Sequence, residues 1–180
     1  MALTSRELYR LLRDGLRPAF AEAGFSPLKE RGLLAFSRPH GADSLVCWFQ
    51  ADRHGWEDLW GSSFTLEFQL GPEATPGAGN MLKRRRYSRL LAPGAREELR
   101  AINNTVIASL PGTEQGATVS ISDDSGEDIV VIGVVTTRVP YHADDDIWMR
   151  YRSADHVDLW VQFLAQHVGA VADRMGTELA

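Results

Sequence analysis

The sequence predicts an α+β fold: an antiparallel β-sheet of about five to six strands with three main helices packed on it, in a single domain spanning residues 1–180. Three observations carry that expectation. Apolar residues recur at steps of three and four near both ends of the chain and again after Pro93, alternate with polar residues in the segments between, and are joined there by links that suit a meander. With 180 residues, 44% of them apolar and 24% charged, the chain can bury one core without disulfides or a structural metal.

The first helix opens at a capping box, Thr4 with Glu7 three residues on. Leu8, Leu11, Leu12, Leu16, Ala19, Phe20 and Ala23 then fall on one stripe facing a core. Pro18 lacks a backbone donor, so a kink or a second short helix starting near Arg17 is expected. Gly24 ends the helix as a left-handed cap, with Phe25 folding back on the last turn.

After a turn at residues 26–32 the period becomes two. Leu34 and Phe36 begin one strand, Leu45, Cys47 and Phe49 mark a second, and Phe64, Leu66, Phe68 and Leu70 alternate with Thr65, Glu67 and Gln69 in a third. Residues 71–80, GPEATPGAGN, hold three glycines and two prolines and read as a flexible loop. Pro93 opens a helix with Leu99, Ile102, Val106 and Leu110 on one face. Residues 118–122 and 128–137 read as strands about the turn DDSGE, the second apolar on both sides and therefore central. Residues 147–151 suggest one more strand. Ser153 or Asp155 then caps a last helix whose stripe, Val157, Val161, Leu164, Val168, Val171 and Met175, packs on the domain's own sheet.

The net charge of -5 argues against general nucleic-acid binding and makes any anion site local. Cys47 is the only cysteine, which excludes a disulfide scaffold and a CxxC zinc site; its apolar neighbours make it a buried structural thiol. The amino terminus interleaves arginine with leucine and holds no continuous apolar stretch of a secretory signal, and no run reaches the ~20 apolar residues that span a bilayer. No membrane association and a bacterial cytoplasmic location are expected.

The candidate site is the stretch KRRRYSRLL at residues 83–91, five cations within seven residues. Read as a helix, it sets Arg85, Arg89 and Arg96 in a ridge, with Leu82, Tyr87, Leu90 and Leu91 anchoring the other side. Arg84, Arg85, Arg86, Arg89 and Tyr87, with Trp56 and Trp60 of the link HGWEDLW, are the candidate partner-binding residues. Two readings stand: a clamp for an acidic partner, and a solvated turn whose arginines pair with nearby carboxylates. The tryptophan pair reads as a flap over the core or as a recognition surface. Trp148 and Trp160 read as core anchors.

HADDD at residues 142–146 places one imidazole and three carboxylates together, but without the punctuation of a calcium loop or a zinc helix; a solvated acidic turn is expected, and no metal or cofactor. There is no GxSxG elbow, and Gly77 and Gly79 lack the Lys-Ser/Thr of a phosphate loop. No catalytic residue is assigned.

Three pieces carry a resemblance: LRPAFAEAGFSPLKERGLLAFSR, a Leu-x-Pro helix ending in Gly-Phe before a strand; the pair CWFQ and FTLEFQLG; and WMRYRSADHVDLWVQFL. Together with the arginine-rich element after the third strand they resemble a bacterial family known as domain of unknown function 4304. The chain differs in its Gly/Pro loop and in lacking a tryptophan pair after RLL. The resemblance implies a small α+β domain with no established activity, cofactor or catalytic residues, and suggests an accessory or immunity role.

The expected function is thus a noncatalytic protein-interaction module holding an acidic partner through the arginines. The alternative is a small-ligand binder or hydrolase-like enzyme with an anionic substrate in a cleft near His142, Asp144 or Asp146 and Arg85 or Arg89. A third option, nucleic acid bound by KRRRYSR with Tyr87 stacking, is disfavoured by the overall charge.

Overall fold

The protein is described from a computed structural model, covering residues 3–53, 55–56, 61–78, 83–109, 118–122, 128–132 and 147–179. Its elements in chain order are α1 (Ser5–Glu22), β1 (Ser26–Leu28), β2 (Leu34–His40), β3 (Asp43–Ala51), β4 (Ser62–Gly71), β5 (Arg84–Arg86), α2 (Tyr87–Leu90), α3 (Pro93–Ala108), β6 (Thr118–Ser122), β7 (Asp128–Ile132), β8 (Met149–Tyr151) and α4 (Ala154–Leu179). The α+β class, the antiparallel sheet and the three long helices are as the periodicities predict.

Both ends of α1 close as expected. The Glu7 amide donates to Thr4 Oγ1 at 3.2 Å and the Thr4 amide to the Glu7 carboxylate at 2.8 Å. At the other end the amides of Gly24 and Phe25 donate to the carbonyls of Ala21 and Phe20, with Gly24 at φ 82° and the Phe25 ring 5.5 Å from that of Phe20. No second helix starts near Arg17: α1 runs unbroken through Pro18. Leu16 and Phe20 on either side are fully buried while Pro18 is exposed, so core packing carries the helix past the missing donor.

The main sheet has six strands in the order β1-β2-β3-β4-β5, with β8 also pairing β4, all antiparallel. Residues 26–28, read as part of a turn, instead form the edge strand β1 opposite Ser37, Phe36 and Ala35. β4 is central and buried throughout. One side of it pairs β3; the other pairs β8 through Ser62–Phe64 and β5 through Glu67–Gln69. The strand β7 is not central: among the described residues it pairs only with β6, in a separate two-stranded sheet.

One face of the main sheet carries the core. Leu34, Phe36, Leu45, Cys47, Phe49, Phe64, Leu66, Phe68 and Leu70 pack with Leu8, Leu12, Leu16 and Phe20 of α1 and Val157, Trp160, Leu164, Val168 and Met175 of α4. Burying these side chains is the main favourable term in folding such a domain. Cys47 is fully buried and its thiol pKa is raised well above the ordinary value by desolvation, as befits a structural thiol. Ser153 caps α4, its hydroxyl accepting from the His156 amide at 3.3 Å. On the side of β8 away from β4, side chains take the backbone of Arg150: Asn103 accepts from its amide at 3.0 Å, and Trp160 Nε1 donates to its carbonyl at 2.7 Å.

Candidate functional site

The other face of the sheet carries two arginines of the basic stretch. Residues 84–86 are a strand, so alternate side chains take opposite sides: Arg84 and Arg86 sit on this second face, and Arg85, opposite Phe68, points away from them. Strand register then aligns Trp48, Glu67 and Arg86 in one cross-strand row and Val46, Gln69 and Arg84 in the next.

Glu67 joins these rows. Its Oε2 accepts from Arg84 Nη2 at 2.5 Å and from Gln50 Nε2 at 2.6 Å, while its Oε1 lies 3.7 Å from Arg86 Nε. Arg86 Nη1 also donates to Gln50 Oε1 at 3.1 Å, closing a ring of Glu67, Gln50 and Arg86. Each guanidinium rests on an indole: Arg84 is 5.0 Å from the centroid of Trp48, Arg86 5.4 Å from that of Trp148. The side chains of Arg84, Arg86 and Glu67 are 18%, 24% and 10% exposed, so two cations share one carboxylate in a partly dry setting. Trp148 belongs to this face and is half-buried, a correction to its reading as a core anchor; Trp160 is the core tryptophan.

The ridge expected from a helical reading is not formed. Arg85 lies on a strand and Arg89 on the single turn α2, where it is exposed. Arg96 bends back to donate to the carbonyls of Ser88, Arg89 and Leu91, and Arg174 donates to that of Leu90 at 2.8 Å. Two arginines thus satisfy the carboxyl end of α2, a scaffolding role that suits cations at a helix terminus. Lys83 is a second solvent-accessible cation, its side chain 41% exposed and 3.9 Å from Asp43. Leu82, the first of the expected anchors, lies outside the described residues, as does Leu110 at the end of the α3 stripe.

Tyr87 is 1% exposed, between the Phe68 and Phe163 rings, so it has no open face for a base. Burial pushes its pKa up, followed by the charge of Glu98, and its hydroxyl has no hydrogen-bond partner among the described residues. Trp56 packs on the core with its ring 6.2 Å from Tyr151, as a flap would; Trp60 lies outside the described residues. Beside the arginines, the loop after β4 is tied down at Thr75, whose carbonyl accepts from Gln69 Nε2 at 3.4 Å and from the Ala78 amide at 3.2 Å.

The Ser109 hydroxyl and the His156 ring pair at 3.2 Å, and periodicity gives no sign of this pair. Its polarity is wrong for a nucleophile. His156 Nδ1 accepts from the Arg152 amide at 3.1 Å, which places the ring proton on Nε2, donating to Ser109; the serine hydroxyl itself donates to the Val106 carbonyl at 2.6 Å. Desolvation holds the His156 pKa below its ordinary value, with Asp155 opposing and Arg152 assisting, so the neutral ring persists at pH 7. The pair ties α3 to the start of α4. Among the described residues no three His, Cys, Asp or Glu side chains converge as a metal site. The HADDD segment at residues 142–146, and with it the cleft proposed around His142, lies outside the described residues.

Comparison with family models, with curated proteins and with solved structures found no match. No helix among the described residues is long and apolar enough to cross a membrane.

Proposed function

We propose that the protein is a noncatalytic interaction module that holds an acidic partner at the corner formed by Lys83, Arg84, Arg86 and Arg89. The observation that carries this reading is the fixing of two guanidinium groups on indole rings by a shared carboxylate, in a stretch of chain whose Lys83 and Arg89 are solvent-accessible. Arginine and tryptophan dominate the energetics of protein interfaces, and a side chain ordered before binding loses less entropy on docking. Lys83 and Arg89 steer a negative surface toward the corner. Kinship with domain of unknown function 4304, a bacterial cytoplasmic setting and an accessory or immunity role belong to this same proposal.

The test is capture from an extract of the source cells. The wild-type chain is expected to retain an acidic protein that salt releases, and Lys83→Glu/Arg89→Glu to lose it while keeping the wild-type circular dichroism spectrum. Equal capture by the double variant, or no salt-released protein on the wild type, contradicts the proposal.

A further inference from the structure

A second arginine array lies on α1, away from the core. Arg6, Arg10, Arg13 and Arg17 follow one another at steps of four, three and four, which is the repeat of a single helical stripe. All four are exposed. Arg10 has Asp14 as an ionic neighbour at 3.7 Å, and both of those side chains are more than half exposed. Arg6, Arg13 and Arg17 make no hydrogen bond or ion pair among the described residues.

The four cations repel one another along the helix, an effect that Glu7 and Asp14 offset at Arg10. Like charges three and four apart repel on a helix surface, and Arg6 adds a cation to the first turn, where the helix dipole favours anions. Burial of Leu8, Leu12, Leu16 and Phe20 on a separate stripe, about a third of a turn round the helix, holds α1 in place regardless. The arginines are therefore presented on a rigid rod, about 16 Å from first to last at 1.5 Å per residue.

We infer that this stripe docks an acidic α-helix of a partner protein. A helix bearing carboxylates at the same four-three-four steps meets all four guanidinium groups in register, at axial steps of about 6, 4.5 and 6 Å. Each pairing is the bidentate geometry that arginine makes with carboxylate. The net charge of -5 disfavours a long polyanion, whose distant charges meet the acidic remainder of the chain. The stripe belongs to α1 on the core face of the sheet, whereas Arg84 and Arg86 lie on the other face and Lys83 and Arg89 belong to the β5–α2 segment, so variants of the two arginine sets test the two sites separately.

The experiment uses two synthetic helical peptides of one composition, one with Glu at four-three-four steps and one with the same Glu residues scattered around the helix. A DNA duplex and vesicles containing phosphatidylserine are the other probes. The full chain is expected to bind the striped peptide about tenfold more tightly than the scattered one, from three to four exposed ion pairs. Arg13→Gln/Arg17→Gln is expected to remove that preference and leave the thermal midpoint equal to or above that of the wild type, because repulsion is relieved. Equal affinity for the two peptides, a preference that survives in Arg13→Gln/Arg17→Gln, or tighter binding to duplex or vesicles than to the striped peptide overturns the inference. Binding of Lys83→Glu/Arg89→Glu to the striped peptide is expected to match the wild type; its loss assigns the peptide to the other corner and likewise overturns it.

Discussion

Gly61→Ala is expected to destabilise the fold by about 3 kcal/mol or more, the sum of left-handed backbone strain and a forced shift of main chain. Gly61 has φ 69°, and a Cβ there would lie 2.2 Å from the Tyr151 carbonyl oxygen and 3.1 Å from Arg152 Cα. Both obstacles are backbone, so no rotamer change relieves them. The start of β4 would have to part from β8, where Ser62 pairs with Tyr151. For a chain of this size the loss corresponds to a drop of roughly 10 °C in the thermal midpoint. Gly32→Ala is the control: φ is 78° but nothing lies within 4 Å, so only strain of about 1 kcal/mol is expected. Equal midpoints for the two variants would show that the close approach at Gly61 is not limiting.

Glu67→Ala is the second large effect. It leaves Arg84 and Arg86 on the sheet without the carboxylate they share and frees Gln50 as well. Removing one member of a buried ion pair costs roughly 3–5 kcal/mol. The arginine side chains keep 18% and 24% of their surface exposed, so the lower end, about 3 kcal/mol, is expected in chemical denaturation. Glu67→Leu combined with Arg84→Met and Arg86→Met is expected to recover most of that loss, because desolvation is removed together with attraction. A Glu67→Ala variant within about 0.5 kcal/mol of wild type would show that water already screens the pair.

The three long helices are legible in the sequence because each states its own period, and α1 and α4 announce their starts as well. Thr4 with Glu7, Gly24 with Phe25, and Ser153 before α4 are local signals, and local contacts satisfy them. The strands β2, β3 and β4 are legible for the same reason, since half of each is apolar at every second position. β1 and β5 are not. Three residues hold too little pattern to show a period, and SPL and RRR become strands only because β2 and β4 offer unpaired edges. A helical ridge is the wrong expectation for the basic stretch on that account: charge density is visible in sequence, but the face each arginine takes depends on strand pairing.

Glu67 shows the same limit from the other side. Its place between the core residues Leu66 and Phe68 assigns it to the face away from the core, yet its two arginine partners lie about twenty residues along the chain. The α1 arginines are readable as four-three-four spacing from the sequence; what the structure adds is their exposure and the lack of described partners for three of them. Ser109 and His156 carry no signal at all, since only the packing of α3 against α4 brings them together.

The most direct test of the central claim is the affinity of the captured acidic partner for wild type and for Lys83→Glu/Arg89→Glu across a range of ionic strength. The account predicts that wild-type binding weakens as salt rises, that the double variant binds about tenfold more weakly or worse at low salt, and that the two curves converge at high salt, where charges are screened. Curves that coincide at low salt, or that stay equally far apart at every ionic strength, would contradict it.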